Sequence, residues 1–328
     1  MKLYSKDNIK QLASSMKNSG RFSHGFILTG ESGSGRKTAA KYLAMARLCA
    51  SPAADGTPCG VCRECRRIEN DSHPDVKWLE GDTASGGYSV AHIRDTVADV
   101  YVMPNDTDAK FYIIPDGEKL LAAAQNALLK IVEEPPEYGY FIFTAKSPSA
   151  FLPTIISRTV TVGVGECSRE ECIAALTDMG KYSEEDILRA VSACRGNIGK
   201  CVSYLEKGEM YELCTAVQDI AAALISSDSY TVLKILSSRK NREDFRTVLN
   251  MLDCVIRDSA VIQIMGSRTA VTGCAENASE TLASMITRDR AQKLHEVITE
   301  AEYLCSSALN CNVQAAACCV TDALSKII

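Results

Sequence analysis

An α/β domain built on a parallel sheet, followed by two all-helical segments, is the architecture this sequence predicts. Three observations carry the expectation. Short apolar runs alternate with helix-patterned ones across residues 1–164, strand signals stop after about Gly165, and Gly, Pro and Ser/Asp punctuation divides the remainder into helices. The first strand is Gly25-Phe26-Ile27-Leu28-Thr29, an apolar run that ends at Gly30 as a buried parallel strand would. A helix pattern follows from Lys37 to about Cys49. Phe111-Tyr112-Ile113-Ile114 is a second buried strand. Glu118 to Glu134 reads as a helix with Leu121, Ala124, Leu128 and Ile131 on one face, stopped by Pro135-Pro136. Tyr140-Phe141-Ile142-Phe143-Thr144 is the third strand.

In the second half, Ser168-Arg169-Glu170-Glu171 reads as a capping box, and Ser183 with Asp186 as a weaker one. Gly180 and Gly196 are placed to close short helices. From Glu209 to Ile328 the pattern is helical, broken at Ser227-Asp228-Ser229 and over Gly266–Ser279. The expected division is therefore 1–164, 165–208 and 209–328, which suits a chain of 328 residues at about 100–200 per domain.

Composition removes several classes. A net charge of -5 argues against a broad phosphate-neutralising surface, though not against a local basic patch. No apolar run approaches the ~18 residues needed to span a bilayer. Met1–Asp7 has no apolar h-region, so the expectation is a cytoplasmic chain without a secretory leader. Its 15 cysteines are then expected as thiols rather than a disulfide framework. The eleven from Cys167 to Cys319 are expected as small buried hydrophobes.

Gly30-Glu31-Ser32-Gly33-Ser34-Gly35-Arg36-Lys37-Thr38 joins a strand to a helix, the context in which a G-x-x-x-x-G-K-S/T loop cradles phosphates with its backbone N–H groups. The register is shifted. Counted from Gly30, Arg36 takes the Lys slot and Lys37 the hydroxyl slot, while Lys37-Thr38 stands one residue late. One residue on a helix is a rotation of about 100°, so those side chains should point elsewhere. An ammonium in the hydroxyl slot repels Mg²⁺. A nucleotide can still be held by the backbone, but Mg²⁺-assisted hydrolysis should suffer. The companion carboxylate is displaced too. In Ile113-Ile114-Pro115-Asp116-Gly117-Glu118, Pro115 takes the metal-binding Asp position and Asp116 that of the water-activating Glu. The alternative is that Asp116 slips by one residue and holds the metal.

Cys49-x9-Cys59-x2-Cys62-x2-Cys65 has the composition of a four-thiolate zinc site. Three cysteines at i, i+3 and i+6 would fan around a continuous helix, so they must sit on a loop or broken helix. Asp55-Gly56-Thr57-Pro58-Cys59-Gly60 supplies the turns. Cys49 closes the site from the end of the loop's helix, and Arg63, Arg66 and Arg67 can offset its negative charge. A closed four-thiolate site leaves no open coordination position, which argues for structure over catalysis. His73 is an alternative ligand or, before Pro74, a structural histidine. Arg66-Arg67 reads as a nucleic-acid patch or as a solvated face beside the metal site. The stripe Leu294, Ile298, Ala301 and Leu304 reads as helix core.

Gln125-Asn126-Ala127-Leu128-Leu129-Lys130-Ile131-Val132-Glu133-Glu134-Pro135-Pro136 resembles the NALLK-x-x-EEPP signature of the bacterial clamp-loader AAA+ subunits of DNA polymerase III. Leu152-Pro153-Thr154-Ile155-Ile156-Ser157-Arg158-Thr159 is similar to that family's LPTI-x-SRC segment, with Thr159 in place of the last residue. Arg21, His24, His73-Pro74-Asp75, the cysteine spacing, and Asn310 with Asn312 as an N-x-N feature extend the resemblance along the chain. Departures from it concern nucleotide handling. The loop pair and the Asp-Glu pair are lost. Gly199 in Gly196-Asn197-Ile198-Gly199-Lys200 falls where the sensor Arg would be, while Ser157-Arg158 is kept. This combination is similar to the delta-prime, or stator, branch of the family.

The resemblance implies an AAA+ α/β domain at 1–164 with a zinc module inserted at 49–65, a small helical lid at 165–208, and an all-α collar at 209–328. It implies a subunit of a DNA-directed DNA polymerase holoenzyme that supports ATP-dependent loading of the sliding clamp onto primed DNA. Motor (gamma/tau) and delta subunits would be its partners. Intrinsic ATPase activity is not expected. Zinc is the expected cofactor, held by Cys49, Cys59, Cys62 and Cys65. The degenerate loop of Gly30, Gly33, Gly35, Arg36, Lys37 and Thr38 is not expected to run an ATP cycle. Arg158 would be an arginine finger acting in trans. Outside that role it would be a surface Arg or half of a local salt bridge. The competing readings are an active motor subunit of the same loader and a free-standing zinc-dependent DNA-binding protein. The acidic charge fits the last poorly.

Overall fold

Five parallel strands in the order β2-β3-β4-β1-β5 form the sheet that carries the phosphate loop. The computed structural model describes residues 3–194, 196–239, 241–266, 274–305 and 312–328. The chain divides into two compact units, Met1–Glu171 and Cys172–Ile328. In the first, the order is α1 (Asp7–Ser19), β1 (Gly25–Thr29), α2 (Arg36–Leu48), α3 (Arg63–Glu69), β2 (Val76–Trp78), α4 (Val90–Val100), β3 (Lys110–Ile114), α5 (Ala122–Glu133), β4 (Gly139–Ala145), α6 (Pro153–Ile156) and β5 (Val160–Gly163).

Alternation along the strands builds two apolar layers, because successive side chains leave opposite faces of a sheet. Phe26, Leu28, Phe111, Ile113, Tyr140 and Ile142 pack on one face with residues of α1, α2 and α3. Ile27, Tyr112, Ile114, Phe141 and Phe143 pack on the other with residues of α4 and α5. Both faces being covered is why β3 and β4 read as unbroken apolar runs. Within the sheet, Ile27 stands opposite Phe143 on one side and Thr161 on the other.

The structure corrects some sequence expectations. α5 starts at Ala122, after a tight turn at Gly117–Lys119, so Leu121 is its N-cap and 72% exposed while Ala124, Leu128 and Ile131 are fully buried. The strands β2 and β5 and the helices α1 and α4 complete a domain of which only three strands were anticipated. Both added strands are short, and β5 faces solvent at every second residue.

The second unit contains, among the described residues, only helices. α7 (Arg169–Asp178) opens at the division between the units. It is followed by α8 (Glu184–Cys194), α9 (Ile198–Leu205), α10 (Glu209–Ile225), α11 (Ser229–Ser237), α12 (Arg242–Met265), α13 (Glu276–Met285), α14 (Arg288–Leu304) and α15 (Val313–Ile327). The capping box forms reciprocally: Glu171 N–H donates to Ser168 Oγ at 3.2 Å and Ser168 N–H to Glu171 Oε2 at 3.1 Å. Gly180 and Gly196 take left-handed φ values of 64° and 77° just past α7 and α8. Val217, Ile220, Leu249, Leu252, Leu294, Ile298 and Leu324 lie in one core. The break after Gly266 is shorter than the sequence suggested, since α13 already includes Ser279. Leu304, in the last residue of α14, is 42% exposed rather than core. Of the eleven cysteines beyond the cluster, Cys318 and Cys319 on α15 are exposed rather than buried, and Cys311 lies outside the described residues. Asn312 N-caps α15 by accepting from Gln314 N–H, and Asn310 lies outside the described residues.

Candidate functional site

The phosphate loop connects β1 to α2. A Cβ at Gly30 would stand 2.3 Å from the Val164 carbonyl oxygen, so only glycine fits there. Gly33 and Gly35 have φ of 82° and 95°, the left-handed conformation that L side chains avoid. Gly35 caps α2, and the helix begins with Arg36. Arg36 is 9% exposed, with Nη2 3.8 Å from Asp116 Oδ1 and Nη1 3.9 Å from Glu118 Oε1. These distances are ion-pair contacts and exceed hydrogen-bond length. Arg36 Nη1 and the buried Ser34 Oγ have no hydrogen-bond partner among the described residues. Lys37 is exposed and Thr38 half-buried. One helical step separates a guanidinium that turns inward from an ammonium that turns outward.

Asp116 has a left-handed φ of 50° and receives Lys119 Nζ at 3.7 Å. Glu118 accepts from the Lys146 backbone N–H just beyond β4. Glu118 was not singled out in the sequence, because its place in the site depends on the tight turn that precedes α5. Lys6 was not either. It is 2% exposed and donates to the Gly165 carbonyl, with its Cε 3.9 Å from where a Cβ at Gly35 would stand.

Cys49, Cys59, Cys62 and Cys65 converge, with all four sulfurs within 4.8 Å of one another. Cys49 follows the end of α2, Cys59 sits in the loop, Cys62 caps α3 and Cys65 lies within it. Sulfurs bound tetrahedrally at about 2.3 Å from one ion stand about 3.8 Å apart, and Cys49 and Cys62 Sγ are 4.0 Å apart. Backbone N–H groups donate to three of the sulfurs: Cys59 to Cys49 at 3.3 Å, Cys62 to Cys59 at 3.3 Å and Cys65 to Cys62 at 3.5 Å. Val61 and Cys62 N–H groups pull the Cys59 thiol down to about 6. Such donors favour the thiolate at Cys59 and Cys62, while burial pushes the Cys49 and Cys65 thiols up; the convergence of the four sulfurs is what would let the set hold a soft metal ion.

The surroundings fix the cluster. His73 Nδ1 accepts from Asp75 N–H at 3.1 Å, so the proton sits on Nε2, which faces Glu64 Oε2 of α3 at 2.8 Å. His73 thus sets the turn before β2 against α3 by a close contact whose alignment falls short of a hydrogen bond. Arg63 and Arg67 both reach Asp106, while Arg66 is exposed. Asp106 is itself placed by Asp75, a fully buried carboxylate that accepts from the N–H groups of Asn105, Asp106 and Thr107 and from two of their side chains. Burial alone would raise the Asp75 carboxyl, but these donors outweigh it and hold it below its ordinary value.

Arg158 follows α6. Its Nη1 donates to Thr154 O at 3.0 Å and Ser157 Oγ at 3.1 Å, and its Nη2 lies 2.9 Å from Glu133 Oε1 at the end of α5. The guanidinium is 40% exposed. At the other end of α5, the buried Gln125 donates to Leu120 O and Ala150 O and accepts from Leu152 N–H, at 2.7–2.8 Å. One helix thus grips the segment before α6 through Gln125 and the residue after it through Glu133. In the second unit, Gly199 lies in α9 behind its N-cap Asn197, so that position offers no side chain.

Several known proteins match this chain. The DNA polymerase III subunit gamma/tau of Mycobacterium tuberculosis is 37% identical over 141 residues, 43% of this chain and 24% of that protein. The DNA polymerase III subunit tau of Bacillus subtilis is 41% identical over 138 residues, 42% of this chain and 24% of that protein. The DNA polymerase III subunit delta' of Bacillus subtilis is 34% identical over 142 residues, 43% of this chain and 42% of that protein. The match thus spans about a quarter of the first two relatives and less than half of the third. The profile of the family described as DNA polymerase III, delta subunit, matches residues 4–167, half of the chain. With that match over the domain that holds the loop, the thiol cluster and Arg158, the chain belongs to the DNA polymerase III delta-subunit family of clamp-loader AAA+ proteins.

Proposed function

We propose that this chain is a delta-prime-like stator of a replicative clamp loader, which supports ATP-dependent loading of a sliding clamp onto primed DNA without hydrolysing ATP itself. The observation that supports the stator role most is Arg36. Its buried guanidinium lies 3.8 Å from Asp116 and 3.9 Å from Glu118, while Pro115 stands at the position of the metal-binding Asp. Both carboxylates thereby face a cation of the chain itself, and no carboxylate stands at the position that would hold Mg²⁺. Lys37 faces solvent and Gly199 offers no sensor side chain. Pure chain incubated with Mg·ATP is expected to release no phosphate above background. Robust Mg²⁺-dependent turnover would instead support the motor reading, which draws on the slightly higher identity to the gamma/tau relatives.

The same proposal assigns 1–164 as the AAA+ domain, 165–208 as a lid and 209–328 as a collar that joins motor and delta subunits. Arg158 is its catalytic contribution, offered to a nucleotide bound by a neighbouring motor subunit. A guanidinium set against a transferring phosphoryl group stabilises the charge that develops there. Zinc is the metal proposed for Cys49, Cys59, Cys62 and Cys65. Four thiols whose sulfurs lie within 4.8 Å of one another suit it, and it would act structurally by joining α2, the loop and α3. About one equivalent of zinc per chain is expected from protein purified without added metal.

A further inference from the structure

We infer that Glu133 is a positioning residue for Arg158, which it holds as a preorganised, half-committed fork. This inference rests on the proposed role of Arg158 in trans. The guanidinium spends three contacts within its own chain: Nη1 on Thr154 O and Ser157 Oγ, and Nη2 on Glu133. A guanidinium has five N–H donors. Among the described residues Nε–H makes no hydrogen bond and Nη2 meets Glu133 as an ion pair, so that edge of the guanidinium keeps N–H donors of the kind that grip an oxyanion bidentately. The side chain is thus held in place before any partner arrives, while 40% of its surface stays open.

The anchor is itself rigid. Glu133 ends α5, whose other end is fastened through the buried Gln125 to Leu120, Ala150 and Leu152. A carboxylate in the last turn of a helix faces the negative end of the helix dipole. Glu133 therefore gains little from its own helix, and its partner is Arg158. Ordering a long side chain in advance removes the entropy that would otherwise be lost when it engages a phosphate. Ser157 and Thr154 orient Nη1, and Glu133 holds Nη2.

The test is steady-state ATP hydrolysis by the complete reconstituted loader with clamp and primed DNA. Wild type is compared with Glu133→Gln, Glu133→Asp, Arg158→Ala and the double variant Glu133→Gln/Arg158→Ala. Glu133→Gln is expected to lower kcat roughly two- to fivefold, the range of a half-exposed ion pair. KM for ATP, subunit assembly and melting temperature should not change. Glu133→Asp should recover part of the loss, and Glu133→Gln should add nothing once Arg158 is gone. If Arg158→Ala slows the loader but Glu133→Gln matches wild type or exceeds it, the pair is a plain surface salt bridge and the positioning role is overturned. If Arg158→Ala itself has no effect, the role in trans is overturned, and the positioning role falls with it.

Discussion

Arg36 and Lys37 show how much one residue of register decides. At the first position of α2 the helix turns a side chain toward Asp116 and Glu118, and at the second it turns one to solvent. That placement followed from counting residues after Gly30, because helical rotation is a fixed quantity. Gln125 could be read only as part of a motif. Its three hydrogen bonds become visible once the chain around Ala150 folds back on α5. Replacing it with leucine keeps the volume but leaves Leu120 O, Ala150 O and Leu152 N–H without their partner. Gln125→Leu should therefore destabilise the protein by about 2–4 kcal/mol in urea unfolding. A change below about 0.5 kcal/mol would mean that water or a shifted backbone replaces all three bonds.

Among the elements, those with strong periodicity or capping chemistry were legible in the sequence: β1, β3 and β4 as apolar runs, and α7 and α8 through their Ser caps and closing glycines. The short elements were not. β2 has three residues and β5 four, too few to show alternation, and each becomes a strand because a longer neighbour offers it a ladder. The start of α5 was misplaced because Leu121 suits a helical stripe, while the turn at Gly117–Lys119 delays the helix and leaves that leucine outside. For the thiol cluster, spacing disclosed the cysteines and the position before Pro74 offered His73 as a structural histidine, but its partner Glu64 and the Asp75–Asp106 support were not legible, since they depend on how distant turns meet. Cys62→Ser should lower both bound zinc and the melting temperature by several degrees, since metal affinity and folding are linked. An unchanged melting curve after chelation would remove the structural role. Beside its apolar packing through Ile93 and Val100, α4 is joined to the sheet by charge. Burial opposes ionisation of Asp99, but Lys77, Tyr112 and Lys110 outweigh it and hold the carboxyl at about 2, against an ordinary 3.8. A depressed folded-state value adds stability above about pH 4 that is lost as the pH falls toward 2. Asp99→Asn should flatten the acid limb of the stability–pH curve in that window, whereas an unaltered limb would contradict the assignment.

At the scale of the whole molecule, the proposed stator is a domain that keeps the frame of a nucleotide site without running its chemistry. Loop glycines, sheet and α2 remain, with a guanidinium paired to the carboxylates, and the contribution proposed to reach a neighbour is the half-exposed Arg158. An arginine finger is worth roughly 10³–10⁵ in rate where one site acts alone, and in a loader with several ATP sites the loss of one should be smaller. Arg158→Lys should recover only part of it, because a point charge cannot reproduce the planar fork. The most direct test is the clamp- and DNA-stimulated ATPase rate of the reconstituted loader, measured with wild type, Lys37→Ala and Arg158→Ala. The stator account predicts that Lys37→Ala equals wild type while Arg158→Ala is slower in a fully assembled complex. A loader slowed by Lys37→Ala and indifferent to Arg158→Ala would contradict it.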